Sequence, residues 1–170
     1  MKGFQFKIDG NWAHFKKPDT NNNPLSHDLI PKTALIGMIG AILGIERKKM
    51  KSLFPQLSED LLYGVELLNP VTKTSCGFTS HTAINPTAIK SPKAFEMLRD
   101  VSYKVCVGLY GERSQSIFDD FQNAILEGYA VYDPYLGIAN CPAELTSISK
   151  GEFITMRNGD FKTKGFIIAN

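Results

Sequence analysis

The stretch WAHFKKPDTNNNPLSHDLIPKTALIGMIGAILGIER, residues 12–47, decides how this chain is organised. A polar loop rich in asparagine leads through Pro31 and basic residues into an apolar segment, residues 32–45, with the spacing of a helix. The apolar run is shorter than the roughly 20 residues that a membrane-spanning helix needs. Its side chains leave almost no polar face, so the sequence predicts a short helix that is buried on most sides.

Three glycines, Gly37, Gly40 and Gly44, lie within this predicted helix. Glycine inside a helix costs about 1 kcal/mol relative to alanine, so the pattern indicates that the helix closely approaches another backbone, either the sheet or a ligand. Tight packing of helix on sheet explains most of the pattern. At the N-terminal end, free backbone N–H groups near Thr33, with Lys32 beside them, form a candidate phosphate site.

Outward from this helix, alternating apolar residues and one amphipathic segment predict an α+β fold. The expected elements run in the order strand, helix, strand, strand, helix, strand, over residues 4–8, 32–45, 63–67, 103–109, 116–127 and 145–149. This is the ferredoxin-like βαββαβ order. Further strands are expected over residues 153–156 and 161–168, joined by an Asn158-Gly159 hairpin turn. We therefore expect one domain, residues 1–170, with C-terminal strands over residues 144–170.

Residues 70–100 lack a clear period and are predicted to form a long loop between the second and third strands, of a length that is usually functional or mobile. Between residues 70 and 94 this segment holds no acidic residue but several hydroxyl side chains, together with Lys73, Phe78, His81 and Lys90. Cations and hydroxyls suit phosphate and sugar contacts, and a phenylalanine can stack on a base. A merely polar surface loop is an equally good interpretation.

Composition narrows the classes of function. The chain has 170 residues and a net charge of +2, which does not by itself indicate nucleic-acid binding. Three separated cysteines support neither a zinc site nor a disulfide framework, and the N-terminus lacks a signal-peptide pattern, so we expect a cytoplasmic protein without a metal or cofactor. The basic run that begins at Arg47 is interpreted as a solvated face after the first helix.

The residues carry no motif of a familiar catalytic site. No Ser-His-Asp arrangement, HExxH or P-loop is present, and the three histidines are separated. A metal-independent ribonuclease could still use His14 or His81 for general acid–base catalysis. On the third strand, Lys104, Cys106 and Gly108 offer bases no stacking platform of the RNA-recognition-motif kind. Any RNA would therefore be bound by loops and helix ends.

Residues 13–45 resemble the N-terminal signature of the CRISPR-associated protein five family, a small subunit of type I Cascade complexes, and are most similar to its subtype I-B branch. The segment YAVYDPYLGIANCPAEL, residues 129–145, resembles that family's Tyr-Leu-Gly and Cys-Pro-Ala segment. Leu98-Arg99-Asp100, leading into Tyr103-Lys104-Val105, also fits. The glycine-rich loop of the wider superfamily is not obvious, and the chain is shorter than typical members, which predicts reduced terminal strands.

The resemblance implies a ferredoxin-like, RRM-like fold of the repeat-associated mysterious protein (RAMP) superfamily. It implies a non-catalytic subunit that caps the 5′ repeat-derived handle of the CRISPR RNA (crRNA) and contacts the large subunit and a backbone subunit, reaching target DNA only through the complex. Residues 70–100 match the family's thumb-like loop. By position, the expected RNA-binding residues are His14, Lys16, Lys32, Thr33, Arg47, Lys73, Phe78, His81 and Lys90. A repeat-processing endoribonuclease and a regulatory domain that binds a small molecule remain the alternatives.

Overall fold

The computed structural model describes residues 1–80, 91–154, 159–160, 162–163 and 165–167. Its strands are β1 (Lys2–Ala13), β2 (Phe15–Lys16), β3 (Ser26–His27), β4 (Leu61–Leu67), β5 (Thr72–Ser80), β6 (Ser91–Leu109), β7 (Glu144–Glu152) and β8 (Phe166–Ile167). Its helices are α1 (Lys32–Ile42), α2 (Arg47–Asp60) and α3 (Gln115–Glu127), with a 3₁₀ turn at Glu112–Ser114. None of the described helices is long and apolar enough to span a membrane.

One antiparallel sheet organises these elements. The strand order is β7-β1-β6-β4-β8, and β5 pairs with β6 beside this path. β1 and β6 are therefore central, and Phe6 lies opposite Val105 in their register. Along the chain, β1, the α1–α2 pair, β4, β6, α3 and β7 follow the βαββαβ order. The predicted α+β fold class is confirmed.

The inward-facing side chains of the central strands form one core with the helices. Phe4, Phe6 and Ile8 are buried, as their alternation predicts. The ring of Phe121 on α3 lies 5.4 Å from that of Phe4 and 5.6 Å from that of Phe6, centroid to centroid, in edge-to-face contacts. α3 ends at Gly128, whose φ of +65° forms the predicted C-terminal cap.

The face of the sheet that points away from the helices is polar and partly covered. Gly3 and Gly108 lie opposite each other on β1 and β6, and the ring of Phe153 packs over both. A Cβ atom built on Gly3 would lie 2.1 Å from that ring, so a side chain there would displace it. The chain beyond β7 therefore covers part of the surface on which an RNA-recognition motif stacks its bases.

Residues 70–100 contain an ordered hairpin, and the prediction of a loop without strands was wrong. β5 pairs with the first half of β6 from Thr72↔Arg99 to Ser80↔Ser91. We call this ribbon, residues 72–80 and 91–99, the arm; residues 81–90 lie outside the described part of the chain. Threonine, serine, glycine and lysine build most of β5, so the apolar alternation that reveals a half-buried strand is missing. Asp100, with φ of 49°, joins the arm to the sheet.

The helix α2 was not predicted from the sequence. The basic run of residues 47–51 is exposed after α1, as the interpretation of a solvated face predicts, but it opens a second helix. Pro55 lies inside α2, where a proline usually ends a helix, and this concealed the element. α2 runs antiparallel to α1, and at one end of the pair Lys32 Nζ donates to the carbonyl of Ser58 at 2.5 Å.

Two of the three glycines in the predicted helix are explained by contacts within the protein. A Cβ atom on Gly40 would lie 3.0 Å from the Sδ of Met50 on α2. Gly44, just beyond α1, has a φ of +65° and lies against the side chain of Val131. The close neighbours of these glycines are thus α2 and the segment after α3, rather than the sheet as expected.

The two described C-terminal strands lie at different edges of the sheet. β7, which is longer than predicted, pairs with β1, and β8 pairs with β4. Of the predicted hairpin, Asn158 and residues 155–156, 161, 164 and 168 lie outside the described residues, whereas residues 153–154 and 162–163 are described and are not in strands. Of that region, β8 is the strand that the structure describes.

Candidate nucleic-acid interface

Two buried tyrosines of the central strands hold the polar loop that leads into α1. The hydroxyl of Tyr103 on β6 donates to the carbonyl of Asp28 at 2.9 Å, and that of Tyr63 on β4 donates to the carbonyl of Ile30. Burial raises the pKa of both hydroxyls, so they stay protonated donors. Since both rings belong to the core, the sheet itself positions the N-terminal end of α1.

A group of ion pairs and hydrogen bonds fixes the base of the arm to the same loop. Lys73 Nζ lies 2.7 Å from Asp28 Oδ1 and 3.2 Å from Glu96 Oε1, and the backbone N–H of Ser26 donates to that same oxygen at 3.1 Å. The hydrogen bond to Asp28 raises the pKa of Lys73. A phosphate contact by Lys73, as expected from the sequence, would compete with both carboxylates.

His14 is buried, which corrects the expectation that it lies at an RNA-binding surface. Its side chain is 2% exposed, and Nδ1 lies 2.9 Å from the carbonyl of Glu96. The ring packs edge-on against Phe95 of the arm, with 5.2 Å between centroids. The arm and the segment around Leu136 cover this position, which a local sequence pattern cannot reveal. Nε2 has no partner among the described residues.

The other predicted arm residues have different positions. Phe78 is half-buried, and its ring meets that of Phe95 edge-on at 5.0 Å between centroids, so it is part of the packing within the arm. His81 and Lys90 lie outside the described residues. RNA contacts by these three residues therefore remain predictions.

The N-terminal end of α1 has no side-chain cap, which is the arrangement of a candidate anion site. Pro31 occupies the N-cap position and provides no side-chain hydrogen bond to the helix. Thr33 is exposed, and Lys32 is partly buried, with a pKa lowered by that burial. Lys16, on β2, is exposed and lies 3.4 Å from Asn21 through its Nζ. Unsatisfied N–H groups and nearby cations at such a helix end favour anions.

Gly37 is the glycine of α1 that the fold does not explain. It is exposed, and a Cβ atom built on it would meet nothing within 4 Å. Thr33 and Ala41 lie one turn to either side, so α1 presents a strip of small residues there. Alanine would be more stable at Gly37 by about 1 kcal/mol. The absence of a side chain is thus compatible with a molecule that approaches the helix from outside.

Arg47 lies at the opposite end of the helix pair from Lys32. Because α1 has 11 residues, it is about 16 Å long, so the two cations do not form one site. Arg47 is exposed at the start of α2, whereas Lys32 starts α1 and reaches the far end of α2. The cations expected at both ends of the first helix are present, but they define two separate surfaces.

Sequence reasoning missed the residues that organise the first of these surfaces. Tyr63 and Tyr103 were placed on predicted strands, and a buried tyrosine hydroxyl normally finds an acceptor, so a signal for their role existed. Asp28 and Glu96 gave no such signal, since their shared partner Lys73 is brought to them by the pairing of β5 with β6.

The metal and ligand inventory of the interface is short. Within the described ranges, no group of three or more histidine, cysteine, aspartate or glutamate side chains could hold a metal ion. The three cysteines are free thiols, and Cys141 is buried.

The strand order, the helical layer and the hairpin arm together define an α+β protein with one antiparallel sheet and the βαββαβ order of elements. A chain titled "CRISPR RNA-guided surveillance complex" matches with a TM-score of 0.61 and 18% identity, over 81% of this chain and 58% of that one. A second solved structure, titled "Crystal Structure of CRISPR-associated Protein", matches with a TM-score of 0.53 and 17% identity, over 86% of this chain and 66% of that one.

A functionally uncharacterized protein, SMU1763c from Streptococcus mutans, matches with a TM-score of 0.52 and 19% identity, over 86% of this chain and 66% of that one. The present chain thus spans 58% to 66% of the length of these three structures. None of the curated proteins matches this sequence. At such identities the structural likeness establishes the fold alone.

The family model described as "CRISPR-associated protein (Cas_Cas5)" matches residues 3–162. The chain belongs to this CRISPR-associated protein five family, and the resemblance seen in the sequence is confirmed. Family membership also sets aside the alternative of an unrelated regulatory domain that binds a small molecule.

Proposed function

We propose that this protein is a non-catalytic subunit of an RNA-guided CRISPR effector complex that binds the 5′ repeat-derived handle of the crRNA. In this role it also connects the large subunit with a backbone subunit and meets target DNA only through the complex. Membership of the family supports the proposal, as does the likeness to a chain titled as part of an RNA-guided surveillance complex.

The single observation that carries the RNA-binding part is the exposed Gly37 in the middle of α1. Nothing within the described protein uses the missing side chain, although glycine destabilises an exposed helix. The backbone of a bound molecule could come close to the helix surface because no side chain projects from Gly37. Nucleic-acid backbones are bound largely by N–H groups, hydroxyls and cations, and Thr33 and Lys32 lie on the first turn of the same helix.

In this proposal the handle runs across the N-terminal half of α1, and Lys16 lies on the loop that leads there. Affinity comes mainly from phosphate contacts and therefore falls as salt rises. Specificity comes from unstacked handle bases that enter loop pockets. The arm, which Lys73 and Glu96 join to the loop through Asp28 and Ser26, corresponds in this proposal to the family's thumb-like element.

The repeat-processing endoribonuclease is the less favoured function. One of the two histidines that it would need, His14, is 2% exposed and bonded to a backbone carbonyl, so it does not reach a substrate in this conformation. The other, His81, lies outside the described residues. No observation on the described part of the chain favours cleavage over binding.

Replacement of Gly37 by leucine tests the site. We expect the RNA that co-purifies with the tagged protein in its complex to fall at least about tenfold, a change that corresponds to about 1.4 kcal/mol. The thermal stability of the variant should not fall, because leucine favours a helix more than glycine does. The measurement is RNA per mole of tagged protein, together with a melting curve.

Gly151→Leu is the matched control, since Gly151 on β7 is also exposed and an added Cβ there would also meet nothing within 4 Å. It should leave the RNA content unchanged. Equal RNA content in the Gly37→Leu complex and the parent complex would refute the assignment of this helix face to the handle.

A further inference from the structure

The N-terminal half of α2 has an apolar stripe that the protein buries only in part. The fully buried residues of this 14-residue helix are Leu57 and Asp60, both near its C-terminal end. Met50 and Phe54 are only half-buried, although they lie at the spacing of an amphipathic face. An apolar stripe that continues into solvent is typical of a surface that another molecule covers.

A groove of about 830 Å³ runs along this part of α2. Among the described residues, its floor is apolar and its rim is cationic: the lining residues are Arg47, Lys48, Met50, Lys51, Phe54 and Pro55. Methionine, phenylalanine and arginine are enriched at protein–protein interfaces. The side chains of the floor offer no strong hydrogen-bond donor or acceptor with which a base edge could be read.

The charges around the groove are uncompensated. Arg47, Lys48, Lys49 and Lys51 all lie in the first five residues of α2, and its first turn holds no acidic residue. No salt bridge in the described part of the chain involves any of the four. The N-terminal end of a helix is its positive end, so these cations lie where the helix dipole disfavours them. An anionic partner would relieve that repulsion.

Pro55, which lines the groove, leaves one carbonyl of α2 without its helical hydrogen bond. A proline has no backbone N–H, so the carbonyl of Lys51, one turn earlier, loses its helical donor. A proline in the interior of a helix lowers the stability of that helix, and here the proline lines the groove. A partner that brings a donor could use this carbonyl, whereas a phosphate could not.

From these features we propose that the α2 groove docks an acidic amphipathic helix of a partner protein, an inference that rests on the proposed role as a subunit of a complex. Apolar side chains of that helix at positions i, i+3 and i+4 would fill the space over Met50, Phe54 and Pro55. Its carboxylates would pair with Arg47, Lys48 and Lys51. This is the helix-in-groove mode of recognition, with charge complementarity setting the orientation.

Site-specific photocrosslinking in the assembled complex tests the occupant. Lys48, on the rim, is replaced by p-benzoylphenylalanine, and the crosslinked product is digested and identified by mass spectrometry. We expect a peptide of a protein subunit in which aspartate or glutamate alternates with apolar residues at helical spacing. A nuclease-sensitive adduct, a peptide without that pattern, or no adduct would overturn the proposal.

A charge-reversed variant, Lys48→Glu with Lys51→Glu, separates this proposal from the proposed function. We expect retention of the crosslinked partner to fall at least about tenfold while the crRNA content stays that of the parent complex. Lys150→Glu on β7 is the control and should change neither. Loss of RNA with the partner retained would assign the groove to RNA and refute the docking site. Absence of RNA from the parent complex would instead refute the proposed function. The two failures can be distinguished because RNA content and partner retention are measured separately.

Discussion

Gly137→Ala is expected to destabilise the protein by about 3 kcal/mol or more. Gly137 has a φ of +94°, which L side chains rarely adopt, and a Cβ atom there would lie 1.9 Å from the carbonyl oxygen of His14. Since that oxygen belongs to the backbone directly after β1, the clash could be relieved only by moving the end of β1 or the segment around Gly137. Urea denaturation followed by circular dichroism measures the loss.

Gly151→Ala provides the matched comparison, because its added Cβ would meet nothing within 4 Å. It should change the free energy of unfolding by less than about 0.5 kcal/mol. If the two variants unfold at the same urea concentration, the close packing at Gly137 is not as the structure has it.

The position of Gly137 gives the Tyr-Leu-Gly segment a structural role. The backbone N–H of His14 donates to Leu136 at 3.0 Å, and that of Leu136 donates to Cys141 at 2.7 Å. The segment therefore closes over the end of β1, and Leu136 and Cys141 are both fully buried. In the sequence this motif is only a family resemblance. In the structure its glycine lets the segment come close to the backbone of His14.

Asp60→Ala should reduce the free energy of unfolding by about 2 kcal/mol. The side chain of Asp60 is buried, and its carboxylate accepts hydrogen bonds from Arg113 at 2.5 Å and from the buried Ser114 hydroxyl at 2.8 Å. Its loss removes the buried link between the end of α2 and the turn before α3, while the bonds of Gln56 to Arg113 and Ser114 remain. Glu59→Ala is the control: Glu59 also pairs with Arg113, but it is exposed and should contribute less than about 1 kcal/mol.

The effect of Asp60 should depend on pH. Burial alone would raise the pKa of Asp60, yet hydrogen bonds from Arg113 and Ser114 hold it below the ordinary value of 3.8. A carboxyl whose pKa is lower in the folded state stabilises the protein above the unfolded value, and this contribution is lost as pH falls through the folded value. The gap between parent and Asp60→Ala should therefore be constant near pH 7 and narrow below pH 3.8. A gap that widens in acid would contradict the network.

The parts of the fold that local patterns determine could be predicted from the sequence. The alternation of apolar and polar residues around Phe6 and Val105 predicted half-buried strands. The apolar stripe of α3, followed by Gly128, predicted a capped helix. The arm and α2 could not be predicted in this way. The arm is built by long-range pairing of strands with few apolar residues, and α2 contains Pro55, which local rules place outside helices.

The site was only partly predictable for a related reason. Thr33 and Arg47, each on the first turn of a helix, are exposed, as a binding role requires. His14 and Lys73 looked equally suitable, but tertiary contacts bury the first and pair the second with two carboxylates. A single sequence reports which side chains are cations or hydroxyls, whereas their neighbours decide which of them remain available to a ligand.

The proposed capping of the 5′ handle of a crRNA is tested most directly by the RNA that this protein carries. The tagged protein is purified in its complex from cells that contain a CRISPR array, and the 5′ ends of the bound RNAs are sequenced. We expect RNAs that share one repeat-derived 5′ end, protected from 5′ exonuclease in the parent complex. Absence of RNA, or RNAs whose 5′ ends are unrelated to the repeat, would contradict the capping role.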